Sequence, residues 1–139
     1  MKSEFQSYEN MLKSAMEKLP KKTAEKKRFE IPKAVSFIQG NKTIIKNFSE
    51  IVSLLRRDKR HLSKFLFKQL ATPGGIESDS LVLQRKVQYS MLQKKIGDYV
   101  KEYVFCKVCG EPDTTLMKED RITFMKCEAC GARSAVREI

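Results

Sequence analysis

The sequence predicts an α+β fold with an N-terminal helix, a small antiparallel sheet with covering helices, and a C-terminal ribbon built around cysteines. Three observations carry this prediction. An apolar stripe at helical spacing lies near the N-terminus, short strands and helices then follow in the order ββααββα, and all four cysteines lie near the C-terminus. We therefore divide the 139 residues into a helix (1–20), a basic linker (21–30), an α–β core (31–103) and a cysteine-containing domain (104–139).

The composition indicates a globular protein with an anionic partner. Hydrophobic residues make up 41% of the chain, and 28 Lys and Arg against 17 Asp and Glu give a formal net charge of +11. Such an excess of positive charge favours nucleic acid as the partner. No apolar run approaches the roughly 18 residues that span a bilayer. The polar N-terminus also lacks the apolar region of a secretory signal. We therefore expect a cytoplasmic protein with no membrane partner.

The first predicted helix carries its apolar residues on one stripe. Ser3 and Gln6 resemble a capping box, and Pro20 ends the helix. The charged linker that follows separates this helix from the rest of the chain, so its stripe has no adjacent core. The stripe either folds back onto the downstream domain or docks into a groove of a partner, and we favour docking. The predicted contact residues are Phe5, Tyr8, Leu12 and Leu19.

The core begins with a predicted hairpin and two helices. Gly40-Asn41 separates two apolar runs and suits the positive φ angles of a tight turn. Asn47, with Glu50 three residues later, predicts a capped helix start. Asp58 is the predicted N-cap of the next helix. The core is thus expected to place two helices directly after its first hairpin.

The second half of the core is predicted as a turn, a strand and a long helix. Residues 72–75 (TPGG) are a turn, residues 81–83 are a short strand, and a helix runs from about Tyr89 to Val104. The Pro-Gly-Gly run lacks the Lys-Ser/Thr of a phosphate-binding loop, so the chain is not expected to hydrolyse nucleotides. No catalytic constellation is evident, and we expect no enzyme activity.

A basic run lies between the two predicted core helices. Most such runs are solvated surfaces, but the high net charge favours contact with RNA phosphates here. The candidate RNA-binding residues are Arg56, Arg57, Lys59 and Arg60. His61, which follows them, has no second histidine or acidic cluster nearby in the sequence. We therefore interpret it as a solvated residue at a helix end.

The cysteines form two C-x2-C pairs, with 17 residues between the pairs. This spacing predicts one tetrahedral Zn²⁺ site with four thiolate ligands, Cys106, Cys109, Cys127 and Cys130. A glycine after each pair permits the backbone reversal that such a site needs. A predicted hairpin over residues 114–125 and a strand at 134–136 complete a zinc ribbon. Four thiolates leave no open position, so the zinc is structural.

Three other interpretations of the cysteines compete with zinc. Disulfides are disfavoured because the chain lacks an export signal. A thioredoxin-like redox site uses one C-x-x-C motif and not two matched ones, and an iron–sulfur cluster is the third alternative. With about 30 residues, the domain is too small for an adequate core, so metal binding should supply its folding free energy.

From Leu70 onward the sequence resembles the beta subunit of translation initiation factor 2. The most similar part is KEYV-x-C-x2-C-x-x-PDT-x-L-x-K-x2-R-x2-F-x-x-CE-x-C. Generic zinc ribbons do not share Tyr103, Pro112, Asp113 and the Cys127-Glu128 pair. The resemblance covers nearly the whole chain, and the short N-terminal helix without long lysine blocks is similar to the archaeal form.

The resemblance implies a non-catalytic subunit of a heterotrimer with alpha and gamma subunits. In this family the gamma subunit is the GTPase that carries initiator methionyl-tRNA, and the N-terminal helix of the beta subunit grips gamma. The resemblance therefore implies a protein that supports GTP-dependent binding of initiator tRNA to the small ribosomal subunit. The contact face would be the stripe of Phe5, Tyr8, Leu12 and Leu19.

Two alternatives stay open at this point. The core and ribbon also resemble the N-terminal half of translation initiation factor 5, which acts through an arginine close to its N-terminus. The first 20 residues here contain no arginine. The second alternative is a free-standing zinc-ribbon protein that binds nucleic acid, in transcription or as an RNA-binding protein. Loss of partner binding on deletion of residues 1–20 would favour the initiation factor.

Overall fold

A computed structural model describes residues 7–19 and 29–139 of the chain. It contains two compact units, and the boundary between them falls between Glu30 and Ile31. The described part of the first unit is mainly helix α1 (Tyr8–Lys18). The second unit contains the remaining helices and two antiparallel sheets, so the predicted α+β fold class is confirmed.

Helix α1 is an exposed amphipathic helix. It begins after Ser7 and ends before Leu19, which is extended. Tyr8 is 74% exposed and Leu19 is 63% exposed, and no residue of 8–18 is buried. The predicted capping box at Ser3, the contact residue Phe5 and the linker up to Arg28 lie outside the described residues.

The α–β core follows the predicted element order. Its elements are β1 (Ser36–Gln39), β2 (Lys42–Ile45), α2 (Phe48–Leu55), α3 (Lys59–Leu70), β3 (Gly74–Glu77), β4 (Ser80–Leu83) and α4 (Tyr89–Tyr103). The strands form an antiparallel sheet in the order β1-β2-β4-β3. Its central strands pair with Ile45 opposite Leu81 and Thr43 opposite Leu83, all fully buried. The helices pack through apolar residues such as Phe48, Leu62, Leu66, Leu92 and Ile96.

Two turns of the core differ in detail from the sequence-based expectation. Of the two hairpin residues, only Gly40 has a positive φ (61°), which is the pattern of a type II′ turn. The predicted turn at 72–75 occurs earlier, where Ala71 ends α3 with a φ of 48°. Gly74 already belongs to β3, and a Cβ there would collide with the Val82 carbonyl oxygen and the Phe67 ring. Position 74 therefore requires glycine because the backbone of β4 approaches it closely, and not because of the geometry of a turn.

The two predicted helix caps behave differently. Asp58 caps α3 as predicted, because its Oδ1 accepts a hydrogen bond from the Arg60 N–H at 3.0 Å. Asn47 precedes α2, but its side chain does not cap the helix. Its Oδ1 accepts from the Val35 N–H at 2.7 Å, and its Nδ2 donates to the Lys33 carbonyl oxygen at 2.8 Å. The Asn47 side chain therefore forms hydrogen bonds with the segment that precedes β1 and does not cap α2.

The C-terminal ribbon consists of β5 (Thr114–Glu119), β6 (Ile122–Cys127) and β7 (Arg133–Val136). They form an antiparallel sheet in the order β5-β6-β7. The hairpin between β5 and β6 turns at Asp120, which has a φ of 54°. The predicted hairpin and third strand are thus present. Among the helices of the described residues, none has the length and apolar character required to cross a membrane.

Candidate metal centre and basic interface

Each cysteine pair lies in a tight turn that ends at a glycine. The Gly110 N–H donates to the Cys106 carbonyl oxygen at 3.0 Å, and the Gly131 N–H donates to the Cys127 carbonyl oxygen at 3.0 Å. Gly110 and Gly131 have φ angles of 74° and 75°. This left-handed region is costly for residues with a Cβ, so the glycines allow each chain reversal. The two turns are therefore built alike, as the sequence pattern predicts.

The four sulfur atoms form one compact cluster. All lie within 4.8 Å of one another, with 3.7 Å between Cys106 and Cys130 and 3.5 Å between Cys109 and Cys127. A regular tetrahedron with metal–sulfur bonds of about 2.3 Å places its sulfur atoms about 3.8 Å apart. The observed separations exceed the disulfide bond length of about 2.05 Å. The geometry therefore fits four ligands of one metal ion, and a donor set of four thiolates fits zinc.

Backbone N–H groups donate hydrogen bonds to two of the four sulfur atoms. The Val108 N–H donates to the Cys106 Sγ at 3.4 Å, and the Cys130 N–H donates to the Cys127 Sγ at 3.5 Å. Hydrogen bonding from the backbone of Cys109 and Val108 lowers the pKa of Cys106 to about 6. Backbone hydrogen bonds act to lower the pKa values of Cys109 and Cys130 as well, but burial and hydrogen bonds with neighbouring cysteines raise both above the usual value. Thiolates are the form that binds a metal, and such N–H donors orient them. Because four cysteines occupy a tetrahedral shell, the centre suits a structural metal.

Arg57 is placed differently from the expectation of an RNA-binding side chain. It is buried, with 8% of its surface exposed. Its Nε and Nη2 donate to the Tyr103 carbonyl oxygen at 3.2 and 2.6 Å. Its Nη1 donates to the carbonyl oxygens of Thr114 at 2.7 Å and Arg56 at 3.0 Å, and Nη2 also donates to the Thr114 Oγ1 at 2.6 Å. These bonds use all five N–H donors of the guanidinium, which leaves none for a phosphate.

The position of Arg57 explains how a buried cation is tolerated. The Tyr103 carbonyl lies at the C-terminal end of α4, where helix carbonyls lack intrahelical partners and carry partial negative charge. Burial lowers the pKa of Arg57, and interaction with Tyr99 opposes that shift. The guanidinium therefore stabilises the end of α4 and binds it to the first residue of β5. Arg57 is a structural link between the core and the ribbon.

The other three candidate RNA-binding residues are accessible. Arg56 has a left-handed φ of 51° at the end of α2, and its 64% exposed side chain lies 3.6 Å from a Glu128 carboxylate oxygen. The Lys59 Nζ lies 3.2 Å from the Asp79 carboxylate and its side chain is 38% exposed. Arg60 is exposed on α3. The structure thus keeps Arg56, Lys59 and Arg60 at the surface around the junction of α2 and α3.

His61 is not a freely solvated residue. Its ring is half-buried, and Nδ1 lies 2.7 Å from the Tyr99 hydroxyl. The ring also packs edge-on against Tyr103, with 5.1 Å between the ring centroids. Burial, together with the positive charges of Arg57 and Lys64, lowers its pKa, and Asp58 opposes the shift. The expectation of a solvated helix-end residue is therefore wrong, because α4 covers this side of α3.

Two groups of residues around the basic junction are not among those predicted from the sequence. Thr114, a buried polar residue, accepts hydrogen bonds from Arg57 and donates one to the Val104 carbonyl oxygen. Lys64 on α3 and Lys118 on β5 line a cleft beside Arg60. The four-residue spacing from Arg60 to Lys64 could have indicated that they share a helix face. No sequence signal pairs them with Lys118, which belongs to the ribbon.

The predicted docking residues belong to a different unit of the chain. Tyr8 and Leu12, 74% and 46% exposed, belong to α1, and Leu19 directly follows it. All three lie in the first compact unit, whereas the metal centre and the basic junction lie in the second. The fourth docking residue, Phe5, lies outside the described residues.

Together, the fold and the site define a small α+β domain followed by a ribbon with a tetrahedral cysteine centre. A protein-family model, described as a domain found in initiation factors 2B and 5, matches residues 20–133. The chain is 46% identical over 136 residues to the translation initiation factor 2 subunit beta of Methanococcus maripaludis strain C5, which covers 98% of this chain and 99% of that protein. The protein of the same name from Methanosphaera stadtmanae is 43% identical over 137 residues, which is 99% of this chain and 96% of that protein.

A third relative matches the chain from end to end. The translation initiation factor 2 subunit beta of Methanococcus aeolicus is 42% identical over 139 residues, which is 100% of both chains. These relatives are all archaeal and share nearly full length with this chain. The chain belongs to the translation initiation factor 2 subunit beta family. It is an initiation factor of protein biosynthesis, as the resemblance in the sequence implied.

Proposed function

We propose that this protein is the non-catalytic beta subunit of a heterotrimer, in which it docks on the gamma GTPase subunit through α1. In that assembly, which also contains an alpha subunit, it supports GTP-dependent binding of initiator methionyl-tRNA to the small ribosomal subunit. The relatives are named as subunits, which supports an assembly with other chains. The observation that carries the docking proposal is the exposed apolar stripe of α1.

The stripe has the chemistry of a docking helix. Tyr8 and Leu12 share one face of α1, and Leu19 directly follows its C-terminal end. The three residues are 74%, 46% and 63% exposed. An amphipathic helix gains stability by burying such a face, because isolated helices of 11 residues are marginal in water. A hydrophobic groove on the partner would supply that burial.

A capture experiment tests this docking. The full chain carrying Tyr8→Asp and Leu12→Asp is compared with the wild type for recovery of a GTPase from native cell extract. The matched control is Asn10→Asp with Ser14→Asp, which adds the same charge at the same four-residue spacing on the opposite face. We expect the wild type and the control to recover the GTPase and the stripe variant to lose it. Recovery of RNA or polymerase components regardless of the helix would instead support a free-standing nucleic-acid-binding protein.

For RNA contact we propose Arg56, Lys59 and Arg60, without Arg57. Their exposure around one junction and the net charge of +11 support this proposal. Each phosphate contact that is lost should reduce the slope of log affinity against log salt by about 1. The double variant Arg56→Ala, Arg60→Ala should therefore bind initiator tRNA more weakly and with a flatter salt dependence. An unchanged slope would rule out these residues as phosphate contacts.

We propose that the cysteine centre holds one structural Zn²⁺. The clustered sulfur atoms and the N–H donors to Cys106 and Cys127 support this assignment. Elemental analysis of the purified protein should give one zinc per chain. Cys109→Ser should lose it, whereas Ser134→Ala, on β7 of the same ribbon, should retain it. A full complement of iron instead of zinc would contradict the assignment.

A further inference from the structure

A cleft of about 520 Å³ lies between α3 of the core and the ribbon. Arg60 and Lys64 line it from α3, and Lys118 lines it from β5. Within residues 7–19 and 29–139, neither the Arg60 nor the Lys64 side chain forms a direct ion pair. Positive charge therefore converges on the cleft from both walls and is only partly neutralised.

Two side-chain carboxylates line this positive region: Asp58, whose Oδ1 caps α3, and Glu138. Glu138, which follows β7, lines the cleft, and its Oε1 lies 2.7 Å from the Lys118 Nζ. Lys118 and, more weakly, Lys64 lower the pKa of Glu138. Both members of the ion pair are more than half exposed, so the pair is readily exchanged with another anion. The cleft thus holds an anion now, supplied by the chain itself.

We propose that this cleft is a phosphate-binding site for the backbone of RNA, and that Glu138 occupies it until a phosphate displaces the carboxylate from Lys118. The inference rests on the RNA contact proposed above and extends it to the ribbon side of the junction. Glu138 acts here as an internal competitor that weakens RNA binding. Lys64 and Lys118 are the residues that would hold the phosphate.

The arrangement of the cations favours RNA over an acidic peptide. Arg60, Lys64 and Lys68 recur every four residues on α3, which places them about 6 Å apart along one helix face. Such a row matches the repeating charge of a phosphodiester backbone. Exchange of the Glu138 carboxylate for a phosphate also keeps the charge of Lys118 neutralised, because both groups accept charge-assisted hydrogen bonds.

The test uses the full chain and fluorescently labelled initiator tRNA transcribed in vitro, with binding measured by anisotropy at several KCl concentrations. Glu138→Gln should tighten binding about two- to fivefold, since it removes one exposed competing ion pair. Lys64→Ala should weaken binding and reduce the salt slope by about 1. Glu119→Gln is the matched control for the carboxylate, because Glu119 is equally exposed and paired at 2.6 Å with Arg133 away from the cleft. Lys42→Ala, in the β1–β2 hairpin, is the control for the lysine.

Each outcome decides between the proposals. The cleft site is supported if Glu138→Gln changes the affinity for tRNA more than Glu119→Gln does, and if Lys64→Ala changes it more than Lys42→Ala does. Equal effects within both pairs would show that only net charge matters and would overturn the cleft site, while the RNA contact proposed above would stand. Failure of the wild type to bind tRNA would overturn both. Stronger displacement by polyglutamate than by an RNA homopolymer would make the cleft a site for an acidic protein and would also overturn this proposal.

Discussion

Arg57 and Thr114 join the core to the ribbon through two hydrogen bonds. The Arg57 Nη1 donates to the Thr114 carbonyl oxygen at 2.7 Å, and Nη2 donates to the Thr114 Oγ1 at 2.6 Å. The same guanidinium donates to the Tyr103 carbonyl oxygen, and the Thr114 hydroxyl donates to the Val104 carbonyl oxygen. The end of α4 and the start of β5 therefore share one buried polar network, whose stability rests on a single cation.

Removal of that cation should destabilise the second unit strongly. For Arg57→Ala we expect the free energy of unfolding to fall by about 2–4 kcal/mol, because buried carbonyl oxygens lose charged donors. Arg57→Lys should recover little, since an ammonium cannot reproduce the planar set of five donors. Urea denaturation measures both values. Arg60→Ala, an exposed neighbour, is the control and should change stability by less than about 0.5 kcal/mol.

Thr114 should be energetically coupled to Arg57. Thr114→Val removes the hydroxyl that accepts from Arg57 and donates to Val104, so we expect a loss of about 1–2 kcal/mol. In a double-mutant cycle with Arg57→Ala, the losses should not add, and the coupling energy should exceed about 0.5 kcal/mol. Additive losses would mean that the two side chains act independently, contrary to the network described here.

The two adjacent glycines of β3 should respond very differently to alanine. A Cβ at Gly74 meets the Val82 carbonyl oxygen and the Phe67 ring, whereas nothing lies within 4 Å of a Cβ at Gly75. We expect Gly74→Ala to cost about 1–3 kcal/mol through overpacking. Gly75→Ala should be near neutral or slightly stabilising, because it restricts the unfolded chain. Thermal denaturation of the two variants measures the difference, and equal melting temperatures would contradict the close approach at Gly74.

His61 should make stability depend on pH in a narrow window. Its pKa in the folded protein is lowered from the usual 6.5 by burial and by Arg57 and Lys64, against the effect of Asp58. Its ring also faces Tyr99 and Tyr103 on α4. The unfolded state therefore binds a proton more readily, so the stability contributed by neutral His61 is present above pH 6.5 and is lost as the pH falls from there towards the folded pKa.

Denaturation midpoints across this window test the His61 prediction. His61 is the chain's only histidine, but Cys106 also has a pKa of about 6, so the part of the slope that belongs to His61 is the part that its substitution removes. His61→Gln should flatten the dependence as the pH falls below 6.5. The carboxylates with lowered pKa values, Asp79 and Glu138, titrate at lower pH and should retain their effect. A slope that is identical in the variant would contradict the buried position of the ring.

Removal of the proposed metal ion should unfold the ribbon. A ribbon of this size buries little apolar surface, so we expect its folding free energy to depend on metal binding. On chelation we expect loss of amide protection at Met125, which is buried in the ribbon, while Leu66 in the core stays protected. Hydrogen exchange monitored by NMR provides the measurement. Persistent protection of Met125 in metal-free protein would show that the ribbon is stable without metal.

Much of the fold and of the site could be predicted from the sequence, because those features depend on local spacing. Two C-x2-C pairs, each followed by a glycine, place four sulfur atoms together through short turns. The helical period of Leu92, Ile96 and Val100 predicted the buried face of α4, and Asp58 predicted the start of α3. In each case the interacting groups lie within a few residues, so the local conformation decides the result.

Only the tertiary structure decided which charged and polar residues are buried and which remain exposed. Arg57 and Arg56 are adjacent in sequence and of the same type, yet Arg57 is buried and Arg56 is exposed. The partner of Arg57 in β5 is 57 residues away, and no local pattern encodes that contact. A polar donor can be buried without a large cost only where hydrogen-bond acceptors are available to it. For Arg57 these acceptors belong to elements that are distant in the sequence, so they come together only in the folded chain. The sequence by itself determined the fold class, the clustering of the four cysteines and the family, whereas the packing of the ribbon against the core determined the role of Arg57.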